Sequence, residues 1–341
     1  LKNPRMKIAF FNTKSYDRAH FGPATEHSHH EVAFFEDALS LQTAALVQGF
    51  DAVCIFVNNP VSEALVKQIS DYGIKIIALR SAGFNHVDLN ACSKHDITVV
   101  RVPAYSPEAV AEHTVALILT LNRKTHKAYN RVRENNYSLE GLTGINLHQK
   151  TVGIIGTGTI GTAFCRVMRG FDCKILAFDP NENKEVTDMG GTYTEFDELI
   201  ASSDIISMHC PLIPQTRHMI DKESIRRMKE GVMLINTSRG ALIDTAAVID
   251  GLKQKKIGFL GIDVYEQEDD LFFKDLSGEV IQDDEIARLM TFPNVLITGH
   301  QAFLTTEALA QITRITLQNL SDFEEGKSLV NEVTADKNIT S

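Results

Sequence analysis

Arg239, Glu268 and His300 each stand at, or a few residues past, the end of an apolar run of strand type, and their chemistries are complementary. Arginine carries a permanent charge in a planar fork, suited to gripping a carboxylate and polarising a neighbouring carbonyl. Histidine exchanges a proton near neutral pH, so it can protonate a developing alkoxide or take a proton from a hydroxyl. A glutamate beside that imidazole can accept its N–H and fix its tautomer. Together these meet the needs of 2-oxo acid reduction by hydride transfer, which requires positioning and charge stabilisation but nothing covalent from the protein. Singly, each has a plainer reading: a surface ion pair for Arg239, a solvated loop acid for Glu268, a hydrogen-bonded strand-end histidine for His300.

A hydride needs a carrier, and the run Val152-Gly153-Ile154-Ile155-Gly156-Thr157-Gly158-Thr159-Ile160-Gly161 has the spacing to hold one. In a G-x-G-x-x-G turn, Gly156 allows the tight bend, Gly158 lets backbone approach a pyrophosphate, and Gly161 lets the next helix pack closely. The helix start then offers unpaired N–H groups to the phosphates. Alone, the pattern is equally a tight structural turn. Asp179 ends the next strand-like run about twenty residues on, where a carboxylate binds ribose hydroxyls and repels a 2′-phosphate, favouring NAD over NADP. Its plainer reading is a turn residue before Pro180.

Six strand-like runs position these groups: 151–155, 174–178, 205–210, 232–237, 258–263 and 295–298. With the glycine turn after the first, they predict a complete doubly wound dinucleotide domain, and Cys210-Pro211, Thr237-Ser238-Arg239, Asp263 and Gly299-His300 fall at its ligand-binding edge. The first third alternates further runs, 7–12, 31–36, 52–57, 74–79 and 98–102, with helical stretches, one expected over 62–72 and stopped by Gly73. That alternation predicts a second open parallel sheet. The loop at 80–88 follows the fourth run; it is either an anion-holding loop or a plain connection capped by Asn85.

Ser106-Pro107-Glu108 begins a helix, and 109–121 is apolar nearly all round, which predicts a buried crossing between domains. Within it, Glu112-His113 reads better as a buried, hydrogen-bonded packing pair than as a metal or catalytic site. The stretch 266–290 is long, acidic and aromatic, either a surface insertion or a wall of the site. A helix over 305–320 is expected to lead back to the first domain, and 332–341 to form a mobile tail.

A net charge of −10 and a pI near 5.7 argue against a nucleic-acid or acidic-membrane binder. The five cysteines, Cys54, Cys92, Cys165, Cys173 and Cys210, form no C-x-x-C pair and read as free thiols in a reducing cytosol. His27, His29 and His30 lack partners at zinc spacing, so no metal site is expected. No apolar stretch has the length of a membrane span or the pattern of a signal peptide. Residues 1–5, ahead of Met6, are expected to be foreign to the native protein.

Taken together, residues 80–88, 102–113, the glycine turn, Asn236-Thr237-Ser238-Arg239-Gly240, Asp263-Val264-Tyr265-Glu266 with Glu268, and 299–303 make the chain resemble the D-isomer-specific 2-hydroxyacid dehydrogenases. The longer insertion after Glu268, where many members have proline, resembles the fermentative lactate branch. The resemblance implies His300 as acid/base, Glu268 as its partner and Arg239 as binder of the substrate carboxylate, with Ala82 and Gly83 offering N–H groups and Tyr105 lining the pocket. It places Gly156, Gly158, Thr159, Ile160, Gly161, Asp179, Cys210, Pro211, Thr216, Thr237, Ser238 and Asp263 on NAD.

The implied fold is α/β with two doubly wound domains: a Rossmann dinucleotide-binding domain, 105–300, inserted in a flavodoxin-like catalytic domain, 1–104 and 301–341. The implied activity is reversible reduction of pyruvate to D-lactate by NADH in a cleft between the domains. The protein would be a cytoplasmic homo-oligomer, dimer or tetramer, joined largely through the dinucleotide domains. Reduction of larger 2-oxo acids is the nearest alternative. An NAD-sensing binding protein is another, because C-terminal-binding corepressors share the Arg, Glu and His trio.

Overall fold

The computed structural model describes residues 6–26, 28–268 and 271–335; the expectations for residues 1–5, for His27 and for 336–341 lie outside them. The start of the tail expected over 332–341 is instead held in place, with Glu332 bridged to Val100 and the buried Val333 donating its N–H to the Val99 carbonyl at 2.9 Å. The chain divides into two compact units, Leu1–Ser106 with Leu304–Ser341, and Pro107–Phe303.

The first unit holds five parallel strands, β1 (Lys7–Phe10), β2 (Glu31–Phe34), β3 (Ala52–Ile55), β4 (Ile76–Leu79) and β5 (Thr98–Val100), in the order β2-β1-β3-β4-β5. This is the flavodoxin-like winding. β3 and β4 are buried at every residue, which is why Ala-Val-Cys-Ile and Ile-Ile-Ala-Leu read as unbroken apolar runs rather than alternating ones. The helix Glu63–Asp71 is capped by Ser62, whose side chain accepts from the Leu65 N–H, and Gly73 at φ +98° follows it, close to the 62–72 expected. The long helix Thr306–Glu324 belongs to this unit and is tied in by Asn319 Nδ2 donating to the Arg101 carbonyl at 2.9 Å.

The second unit holds seven parallel strands, β6 (Thr151–Ile155), β7 (Lys174–Phe178), β8 (Thr192–Tyr193), β9 (Ile205–Met208), β10 (Val232–Asn236), β11 (Ile257–Ile262) and β12 (Val295–Ile297). Their order is β12-β11-β10-β9-β6-β7-β8. The six strands expected were therefore one short. β8 pairs with β7 through only two residues, Leu176 with Thr192 and Ala177 with Tyr193. A strand that short carries no period to read. It completes the Rossmann order, and β12 extends the sheet as an added edge.

The helix Pro107–Arg123 departs from the all-round burial expected. Glu108, Glu112 and Ala116 form an exposed stripe, while Ala111, Val115, Leu117, Ile118 and Leu121 join the core beneath β6 and β10. Glu112 is thus solvated, not buried. All five cysteines are buried and free. Among the described residues no helix is long and apolar enough to cross a membrane, and no cluster of three metal-ligating side chains occurs.

Candidate active site

In a parallel sheet all carboxyl ends share one edge, so the adjacency of β10, β11 and β12 brings the chain after each strand to neighbouring positions. Arg239 follows β10, Asp263 and Glu268 follow β11, and His300 follows β12.

His300 Nδ1 lies 2.8 Å from Glu268 Oε1, with the two side chains 17% and 18% exposed. A carboxylate only accepts, so Nδ1 carries the proton of this bond and Nε2 is the atom left to work. Nε2 has no hydrogen-bond partner among the described residues. Glu268 is itself fixed, because its Oε2 accepts the Tyr265 N–H at 2.9 Å. Phe273 stands beside the imidazole with ring centroids 5.7 Å apart. His300 has φ 56°, in the left-handed region, which costs a non-glycine residue about 1–2 kcal/mol. Something must hold it there.

Asp263 does so. It is 0% exposed, and it accepts from Thr298 Oγ1 at 2.5 Å, from the Gln301 N–H at 2.9 Å and from the Ala302 N–H at 2.8 Å. His300 sits between these donors. Burial pushes the Asp263 carboxyl up, but donors from His113, Thr298, Gln301 and Ala302 outweigh it and hold the group below the usual carboxylate range.

The Arg239 turn is braced from inside. Asn236 is fully buried; its Nδ2 donates to the Arg239 carbonyl at 2.8 Å and its Oδ1 accepts the Ser238 N–H at 3.0 Å. Ser238 Oγ donates to the Cys210 carbonyl at 2.7 Å, joining the ends of β10 and β9. Thr237 Oγ1 is 2.9 Å from Thr114 Oγ1. A side chain at Gly240 would collide with the backbone of Tyr265, so this turn lies directly against the loop that carries Glu268. The half-buried Arg239 donates to the Ser238 carbonyl at 2.7 Å and pairs with no carboxylate among the described residues. That leaves its fork free for one.

The glycine turn fits a dinucleotide. Gly156 has φ +93° and abuts the backbone of Cys210, and a Cβ on Gly161 would overlap the Gly156 carbonyl oxygen. A Cβ on Gly158 would meet nothing within 4 Å. Packing thus does not require a glycine at 158. No side chain caps the helix Thr159–Gly170, and Gly158 and Thr159 are exposed with Ile160 half-buried. Asp179, half-buried at the end of β7, accepts the Thr157 N–H at 2.7 Å and the Asn181 N–H at 2.9 Å. Thr216 Oγ1 donates to the carbonyl of the exposed Pro211 at 2.7 Å. Burial pushes the Cys210 thiol up to about 12.

In the first unit, Ala82 and Gly83 follow β4. Arg101 donates to the Ala82 carbonyl at 3.0 Å and Ser81 Oγ to the Gly83 carbonyl at 2.9 Å. Neither the Ala82 nor the Gly83 N–H has an acceptor among the described residues. Arg80 anchors the loop from below, buried between Asp17 at 3.3 Å and the ring of Phe10 at 4.3 Å. Tyr105 is half-buried.

Sequence alone gives Asn236, Gly240, Thr298 and His113 no part in a site; the available signal is that Asn236 and Gly240 bound the Arg239 motif and that His113 ends the 102–113 stretch, where it reads as packing.

Residues 115–302 match the family profile described as D-isomer specific 2-hydroxyacid dehydrogenase, NAD binding domain. A protein of Haemophilus influenzae named 2-hydroxyacid dehydrogenase homolog is 53% identical over 96% of this chain and 99% of its own. The D-lactate dehydrogenase of Escherichia coli is 50% identical over 96% of this chain and 100% of its own. Among solved structures, the pyruvate reductase of Chlamydomonas reinhardtii superimposes with a TM-score of 0.93 at 46% identity, covering 97% of this chain and 99% of that one.

Proposed function

The chain belongs to the D-isomer-specific 2-hydroxyacid dehydrogenases, and we propose that within this NAD-dependent family it reduces pyruvate to D-lactate, reversibly. The observation that carries the reading is the His300–Glu268 pair at 2.8 Å, adjoining a strand end that presents an unpaired Arg239. Arg239 grips the substrate carboxylate with its fork and draws charge from the neighbouring carbonyl. His300 Nε2 gives its proton to the carbonyl oxygen and recovers one from the hydroxyl in the reverse direction, while Glu268 keeps Nδ1–H in place. NADH, held at the glycine turn with Asp179 near its ribose, supplies the hydride when bound. The Ala82 and Gly83 N–H groups also serve the carboxylate and Tyr105 lines the pocket. Residues 105–300 hold the cofactor, and 1–104 with 301–341 form the substrate domain.

The likeness to a lactate dehydrogenase and a pyruvate reductase over nearly full lengths supports pyruvate as substrate, and the D-isomer specificity of the family supports the D configuration. We also propose a cytoplasmic homo-oligomer. Five unpaired buried thiols support a reducing compartment. The exposed Tyr129, Val132, Tyr137 and Leu139 in the second unit form apolar surface that a second copy would cover. Light scattering of purified protein tests the assembly.

The deciding assay follows NADH oxidation with pyruvate, 2-oxobutyrate, 2-oxoisocaproate and phenylpyruvate, each repeated with NADPH, and then resolves the product on a chiral column. Fast turnover of pyruvate with NADH to the D acid is expected. Preference for a bulkier acid would keep the mechanism and replace the substrate. Tight NADH binding without turnover of any acid would overturn the proposal.

A further inference from the structure

The sequence suggests only a packing role for His113, yet its Nε2 lies 3.1 Å from Thr298 Oγ1 and 3.4 Å from Asp263 Oδ1. Counting protons decides what it does there. Thr298 has one hydroxyl proton, and at 2.5 Å from a carboxylate oxygen that proton goes to Asp263. The Thr298 oxygen and Asp263 Oδ1 can then only accept from His113, so His113 must donate from Nε2. With the N–H groups of Gln301 and Ala302, this completes the donors around a carboxylate that has no exposed surface. Thr298 lies two residues before His300, and Gln301 and Ala302 directly follow it.

We propose that His113 is a positioning residue for the reaction: its Nε2–H locks the Thr298–Asp263 pair, and that pair clamps the backbone on both sides of His300 in its left-handed conformation. The long helix Pro107–Arg123 thereby braces the loop after β12, reaching it across a sequence separation of 185 residues. Without the donor, the Thr298 hydroxyl and Asp263 lose one restraint on the geometry of His300, while Arg239, the glycine turn and Asp179 keep theirs. The loss should therefore fall on the chemical step and spare binding.

The inference rests on His300 being the proton donor of the proposed reaction, and the test separates the two. His113→Leu removes the donor while filling much of the space; His113→Gln keeps an N–H near the position of Nε2; Thr298→Val removes the hydroxyl. These are assayed beside His300→Gln, with pyruvate or whichever 2-oxo acid turns over fastest, and NADH affinity is read by fluorescence. His113→Leu should lose about 10- to 100-fold in kcat, the scale of lost hydrogen bonds behind a catalytic group, with KM and NADH affinity little changed. His113→Gln should retain most of the turnover, and His113→Leu/Thr298→Val should be little worse than either single change.

Wild-type kcat in His113→Leu, equal loss in the Gln and Leu variants, or a loss confined to KM would overturn it. If the Leu variant does not fold, a crippled but folded His113→Gln overturns the proposal and an active one beside an impaired Thr298→Val supports it. If His300→Gln itself turns over normally, the reading of the site falls, whereas an inactive His300→Gln beside a normal His113→Leu removes this inference alone.

Discussion

Replacing Glu268 by glutamine tests the acid/base assignment with almost no change in shape. Glu268 accepts twice, from His300 Nδ1–H at 2.8 Å and from the Tyr265 N–H at 2.9 Å. An amide presents one oxygen and one NH2, so one of those two donors must face another donor. If the NH2 faces Tyr265, a backbone N–H is opposed in a half-buried loop. If it faces His300, Nδ1 must give up its proton and the tautomer inverts. The lost charge-assisted hydrogen bond is worth about 1.5–3 kcal/mol, and at about 1.4 kcal/mol per decade this corresponds to a fall of about 10- to 150-fold in kcat. KM for the 2-oxo acid should change little, because Arg239 is untouched. Steady-state NADH oxidation gives both constants, and circular dichroism confirms the fold. A loss below about twofold, or one confined to KM, would refute the argument, since a hydrogen bond to charge in a site this sheltered cannot be that cheap.

Arg239→Lys should raise KM at least tenfold, the roughly 1.4 kcal/mol or more that separates a bidentate fork from a point charge, with NADH affinity unchanged by fluorescence titration. Gly158→Ala should cost under about 1 kcal/mol of stability yet weaken NADH binding, since its Cβ enters open space needed by the cofactor; Gly161→Ala should lower stability by about 1–3 kcal/mol because its Cβ strikes the Gly156 carbonyl, and thermal melting with and without NADH separates the two. Asp263→Asn should lose stability with a particular pH dependence. The wild-type carboxyl is depressed in the fold, so its contribution is present above the ordinary aspartate range and fades as pH falls through the lowered value. The melting-temperature gap between wild type and Asp263→Asn should therefore narrow on acidification, and a constant gap would contradict it.

Much of the fold was written in local pattern. The unbroken apolar runs of β3, β4 and β10 announce strands covered on both faces, and the glycine spacing at 156, 158 and 161 announces a strand, a tight turn and a helix in contact. Parallel strands share an edge, so polar residues placed after each run had to gather on one side. Arg239, Glu268 and His300 were legible on that basis.

What sequence did not carry was which distant groups meet. β8 is two residues long and exists only because β7 offers it a partner. The exposed stripe of Glu108, Glu112 and Ala116 became visible only once the core lay on the opposite side of their helix. The left-handed φ of His300 and its fourfold-bonded neighbour Asp263 depend on donors from Thr298, Gln301, Ala302 and His113, the last brought in from a helix 150 residues earlier than the carboxylate. Residue type and periodicity specify what a segment can form by itself. A hydrogen bond between segments far apart in the chain is set by the winding and packing of the whole sheet, and that is a property of the tertiary structure alone.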